Sequence, residues 1–176
     1  LADYQPLKFG KKETNTIDAA IALTTVNDVG NATPEDDGYG TPSATTVPAS
    51  INQLVQKYGR TTGLTHGRVS ELGITVDVCY VPAGPRGCKK SARFLDQIGI
   101  VDLGGGGNFS AGGDSGSSIV TDDGNNNPVG LLFAGSSVRT LANDIDDVLA
   151  RFGVTIDAGS QPQNDAPVVT ISSPAG

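Results

Sequence analysis

Residues 111–120 read Ala-Gly-Gly-Asp-Ser-Gly-Ser-Ser-Ile-Val. A serine set among glycines suits acyl transfer, which needs a hydroxyl nucleophile beside backbone N–H groups that converge on a developing oxyanion. Gly112 and Gly113 permit a strained turn that aims such amides into one hole, and Gly116 permits close approach on the far side. Asp114, buried in that turn, requires a cationic or N–H partner to hold the loop. Ser115 is therefore the candidate nucleophile. A serine also needs a base, and the chain holds a single histidine, His66.

The elements that must position this loop read as strands. The 176 residues include 24 glycines and 10 prolines, and short apolar runs recur at even spacing with turn signals between them. Strands are expected near "QLVQKYG", "LTHGRVSEL", "GITVDVCYV", "SARFLDQIGIV", "SGSSIVT" and "NPVGLLFAG", with "DDGNNN" as the hairpin turn between the last two. In "NTIDAAIAL" the period of two places Ile17, Ala19, Ile21 and Leu23 on one face. Residues 25–50 read as a long connection. One helix is expected in "LANDIDDVLARFGV": Ile145, Val148, Leu149 and Phe152 recur at helical spacing, Asn143 or Asp144 serves as N-cap, and Gly153 as C-cap. Strands without intervening helices make an all-β barrel or sandwich.

Several of these motifs occur together, and in order, in one known family. The "GGDSGS" loop, the strand, hairpin and Gly-Ser-ended strand after it, the C-terminal helix, the "NTIDAAIAL" segment and the "VQKYGRTTGLTHGRV" run resemble the chymotrypsin-like (trypsin-like) serine peptidases of bacterial type, over residues 14–157. The resemblance implies a double β-barrel fold, here a complete C-terminal barrel with a remnant of the N-terminal one. Residues 1–24 would be that remnant, 25–50 the connection, 51–157 the second barrel with its helix, and 158–176 a linker toward a further module. It implies Ser115 as nucleophile, Asp18 as the carboxylate that orients an imidazole, and the amides of Gly113 and Ser115 as the oxyanion hole. Without it, Asp18 reads as a surface aspartate in a half-exposed strand. A substrate pocket would be formed by Phe109, Phe133, Ala134, Gly135 and Ser136. Phe109 stands where an acid would select Lys or Arg, so an uncharged substrate side chain is expected.

The histidine departs from the pattern. The family order is His, Asp, Ser, whereas His66 lies between the other two and reads as an ordinary strand histidine. Two readings follow. Either the chain belongs to a longer serine endopeptidase whose histidine lies on a preceding segment, leaving this piece inactive alone, or it is a pseudopeptidase barrel that binds protein or sugar. A start at Leu1, "LADYQPLKFG", favours the first.

Cys79 and Cys88 flank the turn-rich "YVPAGPRG" and read as a disulfide, the alternative being two free thiols at a loop base. A disulfide implies a secreted, periplasmic or cell-surface protein. Two cysteines with no nearby histidine cannot fill a zinc site, and the implied chemistry requires no metal or organic cofactor. The net charge of −7 offers no basic stripe for nucleic acid or anionic membrane, and no apolar run has membrane-spanning length. The expected partners are a protein or peptide substrate and the missing N-terminal segment. Lys89, Lys90 and Arg93 form a small basic cluster that reads as a solvated hairpin edge. The Gly104–Gly107 run lacks the Lys-Ser/Thr of a phosphate loop, and Asp122 and Asp123 miss the spacing of a calcium loop.

Overall fold

A computed structural model of the chain describes residues 1–25, 27–84, 87–104 and 108–159. The strands are β1 (Asp3–Tyr4), β2 (Ala20–Ile21), β3 (Leu54–Gly59), β4 (Gly63–Ala83), β5 (Gly87–Asp102), β6 (Ser118–Thr121), β7 (Pro128–Gly135) and β8 (Thr140–Asp144), followed by helix α1 (Ile145–Phe152). Six of them close an antiparallel barrel in the order β3-β4-β5-β8-β7-β6, and β1 pairs with β2 in a separate ribbon. Closure removes the exposed edges that such short strands would otherwise present.

Inward-facing residues fill the ring. Val55, Val69, Ile98, Ile100, Ile119 and Val129 form one buried cluster, with Val47 and Ala49 of the 25–50 connection packed against it. That connection is fastened to the β6–β7 turn by Ser43 N–H on Asn126 O and Val47 N–H on Pro128 O (2.9 and 3.0 Å).

The two strands expected at "LTHGRVSEL" and "GITVDVCYV" are one strand, β4. Its register against β5 jumps between Glu71 and Ile74, where Gly73 has φ +65°. The glycine that reads as a break in sequence makes a bulge instead, which bends the strand without ending it. Beyond that bend β4 and β5 run on as a hairpin arm stapled by the Cys79–Cys88 disulfide.

The 15–23 stretch is less regular than its alternation predicts. Ile17 and Ala19 are buried against Val148 of α1, but only Ala20–Ile21 pairs as a strand and Leu23 is 86% exposed. The alternation holds only as far as there is an inner surface to cover it.

The helix follows its signals. Asp144 caps it by accepting from Asp146 N–H, and Gly153 closes it in the left-handed region. Arg151 in the last turn bonds Asp3 Oδ2 (2.8 Å), Gln5 Oε1 (2.6 Å) and Tyr4 O (2.9 Å), which holds the β1 segment onto the helix.

Candidate active site

Asp114 organises the serine loop. Its residue is 1% exposed, and its carboxylate collects N–H groups from two loops: Thr61 (2.7 Å) and Ala111 (2.9 Å), with the Thr62 hydroxyl at 2.8 Å. The ammonium of Lys57, also fully buried, stands 3.7 Å from Oδ2. Both partner types required by the sequence reading, cation and N–H, are thus present. Burial by itself would raise the Asp114 pKa, but the amides of Ala111 and Thr61, the Thr62 hydroxyl and the Lys57 charge overcome it and hold the value at about 2. For Lys57 burial wins: its pKa lies below the ordinary value even with Asp114 beside it. The ammonium also donates to the Thr62 hydroxyl and to Gly63 O at 3.1 Å.

With Asp114 tied inward, its neighbours face outward. Asp114 N–H bonds Ala111 O (3.1 Å), Gly116 N–H bonds Leu132 O (2.8 Å), and Ser117 N–H bonds Asp114 O (3.0 Å). The N–H groups of Gly112, Gly113 and Ser115 donate to no acceptor among the described residues, and Ser115 itself is exposed. Gly113 has φ +106°, and a Cβ there would lie 2.5 Å from the Thr61 hydroxyl. The turn therefore requires glycine at 113 on two counts.

Asp18 is anchored to β8. Its N–H bonds the Oδ1 of Asn143 at 3.1 Å. Asn143 is fully buried on β8 and pairs across with Leu131, one residue before the Leu132 that receives Gly116. Serine loop and aspartate segment are therefore anchored to adjacent rungs of one strand pair. Asn143 in turn donates to Gln97 Oε1 (2.7 Å), and Gln97 donates to Thr16 O (2.7 Å), so a buried amide pair holds residues 16–18 against β5 and β8. The Asp18 carboxylate accepts the hydroxyl of Tyr80. Tyr80 lies at a register shift of β4, between the Cys79–Ser91 and Val81–Lys90 pairs, where a bulge re-aims side chains. Burial and this bond push the Tyr80 phenol far above its ordinary pKa.

His66 is elsewhere. Its Nδ1 pairs with Asp122 Oδ2 at 2.8 Å, and the ring is half exposed. Asp122 follows the end of β6 while Ser115 precedes its start, so the length of that strand separates the two.

Of the proposed pocket residues, Phe109 and Ser136 line a cavity of about 20 Å³ with Asp102 and Thr140, room for one water molecule. The Phe109 ring packs into the barrel core, close enough to Gly67 that a Cβ there would lie 2.6 Å from Cδ2. Phe133 packs against Phe94 as a tilted pair with centroids 4.9 Å apart, and Ala134 and Gly135 pair with Leu141 and Thr140 of β8. Asp102, which sequence reasoning did not single out, presents a buried Oδ2 without a hydrogen-bond partner to this cavity's residues.

Lys57, Gln97 and Asn143 were likewise unforeseen. Lys57 carried a signal, since the period of two places it on the same inward face as Val55 and Gly59 of β3. Asn143 carried a misleading one, because it also fits a helix cap. The amide pair was not legible, as Gln97 and Asn143 are 46 residues apart.

No protein-family profile and no curated protein matches the chain. Solved structures do. A glutamic acid specific serine protease, described as using a histidine triad in substrate binding, superposes with a TM-score of 0.52 at 20% identity, over 72% of this chain and 59% of that one. Thermobifida fusca protease A gives 0.52 at 21% identity over 68% and 57%, and Nocardiopsis protease 0.51 at 20% over 70% and 58%. The likeness is one of fold: the chain has the chymotrypsin-like β fold of these bacterial serine proteases. It spans less than two thirds of the length of each.

Proposed function

We propose that the protein is a serine endopeptidase in which Ser115 is the nucleophile, the N–H groups of Gly113 and Ser115 form the oxyanion hole, and Asp18 orients an imidazole supplied by a segment outside these 176 residues. The observation that carries the reading is the Asp114 clamp. It anchors the loop to Lys57, Thr61 and Thr62 while leaving the hydroxyl of Ser115 exposed and the amides on either side of Asp114 unengaged. A preorganised pair of donors is what acyl transfer asks of a backbone.

In this mechanism the imidazole takes the Ser115 proton as Oγ attacks the substrate carbonyl. The oxyanion settles on the Gly113 and Ser115 amides, the amine leaves with the proton, and water hydrolyses the acyl-enzyme by the reverse route. Asp18 shares its carboxylate between Tyr80 and the imidazole. His66, exposed on β4, is paired with Asp122 and takes no part. Removal of the base costs on the order of 10⁶ in kcat, so the 176-residue piece alone is inactive. The disulfide fits an oxidising, extracytoplasmic location, with peptides or proteins as substrates.

A fluorophosphonate probe tests the reading. On the natural full-length protein it labels Ser115, the Ser115→Ala variant stays unlabelled, and the isolated 176-residue chain reacts at background rate. A full-length protein that resists the probe is a non-catalytic binding barrel, and labelling that survives Ser115→Ala places the nucleophile elsewhere.

A further inference from the structure

The β4–β5 hairpin arm and the segment ahead of β2 enclose a surface cleft of about 660 Å³, lined by Lys11, Lys89, Lys90 and Arg93, with Asp77 as the only acid among its described lining residues. The lining carries +3 in a chain whose net charge is −7, which leaves −10 on the remainder. Arg93 is engaged by Asp77 through two bonds of 2.9 and 2.8 Å. Lys11 and Lys89 have no carboxylate partner among the described residues. Lys90 covers the ring of Phe9, its Nζ 3.8 Å from the centroid.

The walls are held in place. The register of β4 against β5 passes from Val81–Lys90 to Pro82–Cys88, so Lys89 is an extra residue at a bulge. The bulge lets consecutive lysines serve one cleft, where regular pleating would send them to opposite faces. The disulfide ties the two strands at this level. The opposite wall is fixed by Asn15, 7% exposed, whose side chain accepts from Lys8 N–H (2.8 Å) and donates to Lys8 O and Arg93 O (3.0 and 3.1 Å).

We propose that this cleft binds a short acidic peptide segment. Its volume is that of a ligand site and far exceeds a single inorganic anion. The Phe9 ring, one face of it under Lys90 and part of it still exposed, adds apolar surface to the lining. A long polyanion would run from the cleft onto a surface of opposite preference, because the positive field is local and screened within about 10 Å. An acidic segment of a few residues gains the attraction without meeting that repulsion. The site is separate from the serine loop, and its occupancy does not depend on catalysis.

The test is fluorescence anisotropy of the chain with labelled Glu-Asp-Phe-Glu-Asp and its uncharged analogue Gln-Asn-Phe-Gln-Asn. The acidic peptide binds, its affinity falls as salt is raised, and the analogue binds at least about tenfold more weakly. Lys89→Glu weakens the acidic peptide on the order of fivefold, through one attraction lost and one repulsion gained. Arg68→Glu, the same charge step on the barrel part of β4, leaves binding unchanged, and thermal melts confirm that both variants fold. Lys11→Gln, on the facing wall, weakens binding by a smaller factor. Equal binding of the two peptides, equal loss in Lys89→Glu and Arg68→Glu, no binding at all, or tighter binding of a single-stranded DNA oligonucleotide than of the acidic peptide overturns the proposal.

Discussion

Replacing Asp114 by Asn tests the physical basis of the serine loop. The amide oxygen can replace Oδ1 and keep the Thr61 N–H, 2.7 Å away in the native protein. The NH₂ then replaces Oδ2, where it meets the Ala111 N–H, the Thr62 hydroxyl and the Lys57 ammonium, all of them donors toward that oxygen. At 3.7 Å and an effective dielectric near 20, the lost Coulomb attraction is roughly 4 kcal/mol. Breaking a buried pair by removing one partner costs about 3–5 kcal/mol. The expected destabilisation is therefore about 4 kcal/mol, a large share of a typical folding free energy of about 5–15 kcal/mol.

Urea denaturation of Asp114→Asn, Lys57→Met and the double variant measures it. The double variant should be more stable than additivity predicts by about 2–3 kcal/mol, since neither charge is then left unpaired. The pH dependence gives a second reading. Asp114 titrates at about 2 in the folded protein against an ordinary 3.8, so its contribution is fully present above pH 3.8 and is lost as pH falls toward 2. The Asn variant lacks that slope. The alkaline slope that the native protein already carries, because Lys57 sheds its proton in the folded state before the unfolded chain does at its ordinary 10.5, spans a wider interval in the variant, where Lys57 is lowered further without its partner. Stability of the variant therefore rises with pH through that interval. A loss below about 1 kcal/mol, or strict additivity with Lys57→Met, would refute the claim that this pair holds the loop.

Asn15→Ala removes three side-chain hydrogen bonds, two to the Lys8 backbone within the N-terminal segment and one to Arg93 O of β5. A destabilisation of about 1–3 kcal/mol is expected, with faster amide exchange at Leu95 and Asn15, and unchanged exchange there would show the contact to be dispensable. For substrate choice, a panel of peptides varied at the residue before the scissile bond, assayed with the full-length protein, should favour uncharged side chains. A strong preference for Lys or Arg would instead assign recognition to the Asp102 carboxylate beside the small cavity.

Much of the architecture was legible because it is written in local spacing. The helix over 145–152, its Asp144 and Gly153 caps, the hairpin turn at 122–125 and the disulfide each depend on residues within about a dozen positions of one another. Where the reading failed, a local cue had two meanings. Gly73 marks a break or a bulge, and only the long pairing partner in β5 selects the bulge. Ile17 to Leu23 alternates throughout, yet the alternation is used only where α1 and the β1 strand lie over it.

What the amino-acid order determined by itself was the serine loop: glycines at 112, 113 and 116, a carboxylate at 114 that could not stay buried without partners, and a hydroxyl between them. Tertiary structure alone decided who those partners are. Lys57 lies 57 residues before Asp114 in the chain and meets it only because β3 and β6 are neighbours in a closed barrel. Asn143 and Gln97 hold the Asp18 segment because β5 and β8 close the same ring. Propensity and spacing act over a few residues, whereas burial and charge pairing are properties of the closed ring, which no short stretch of sequence contains.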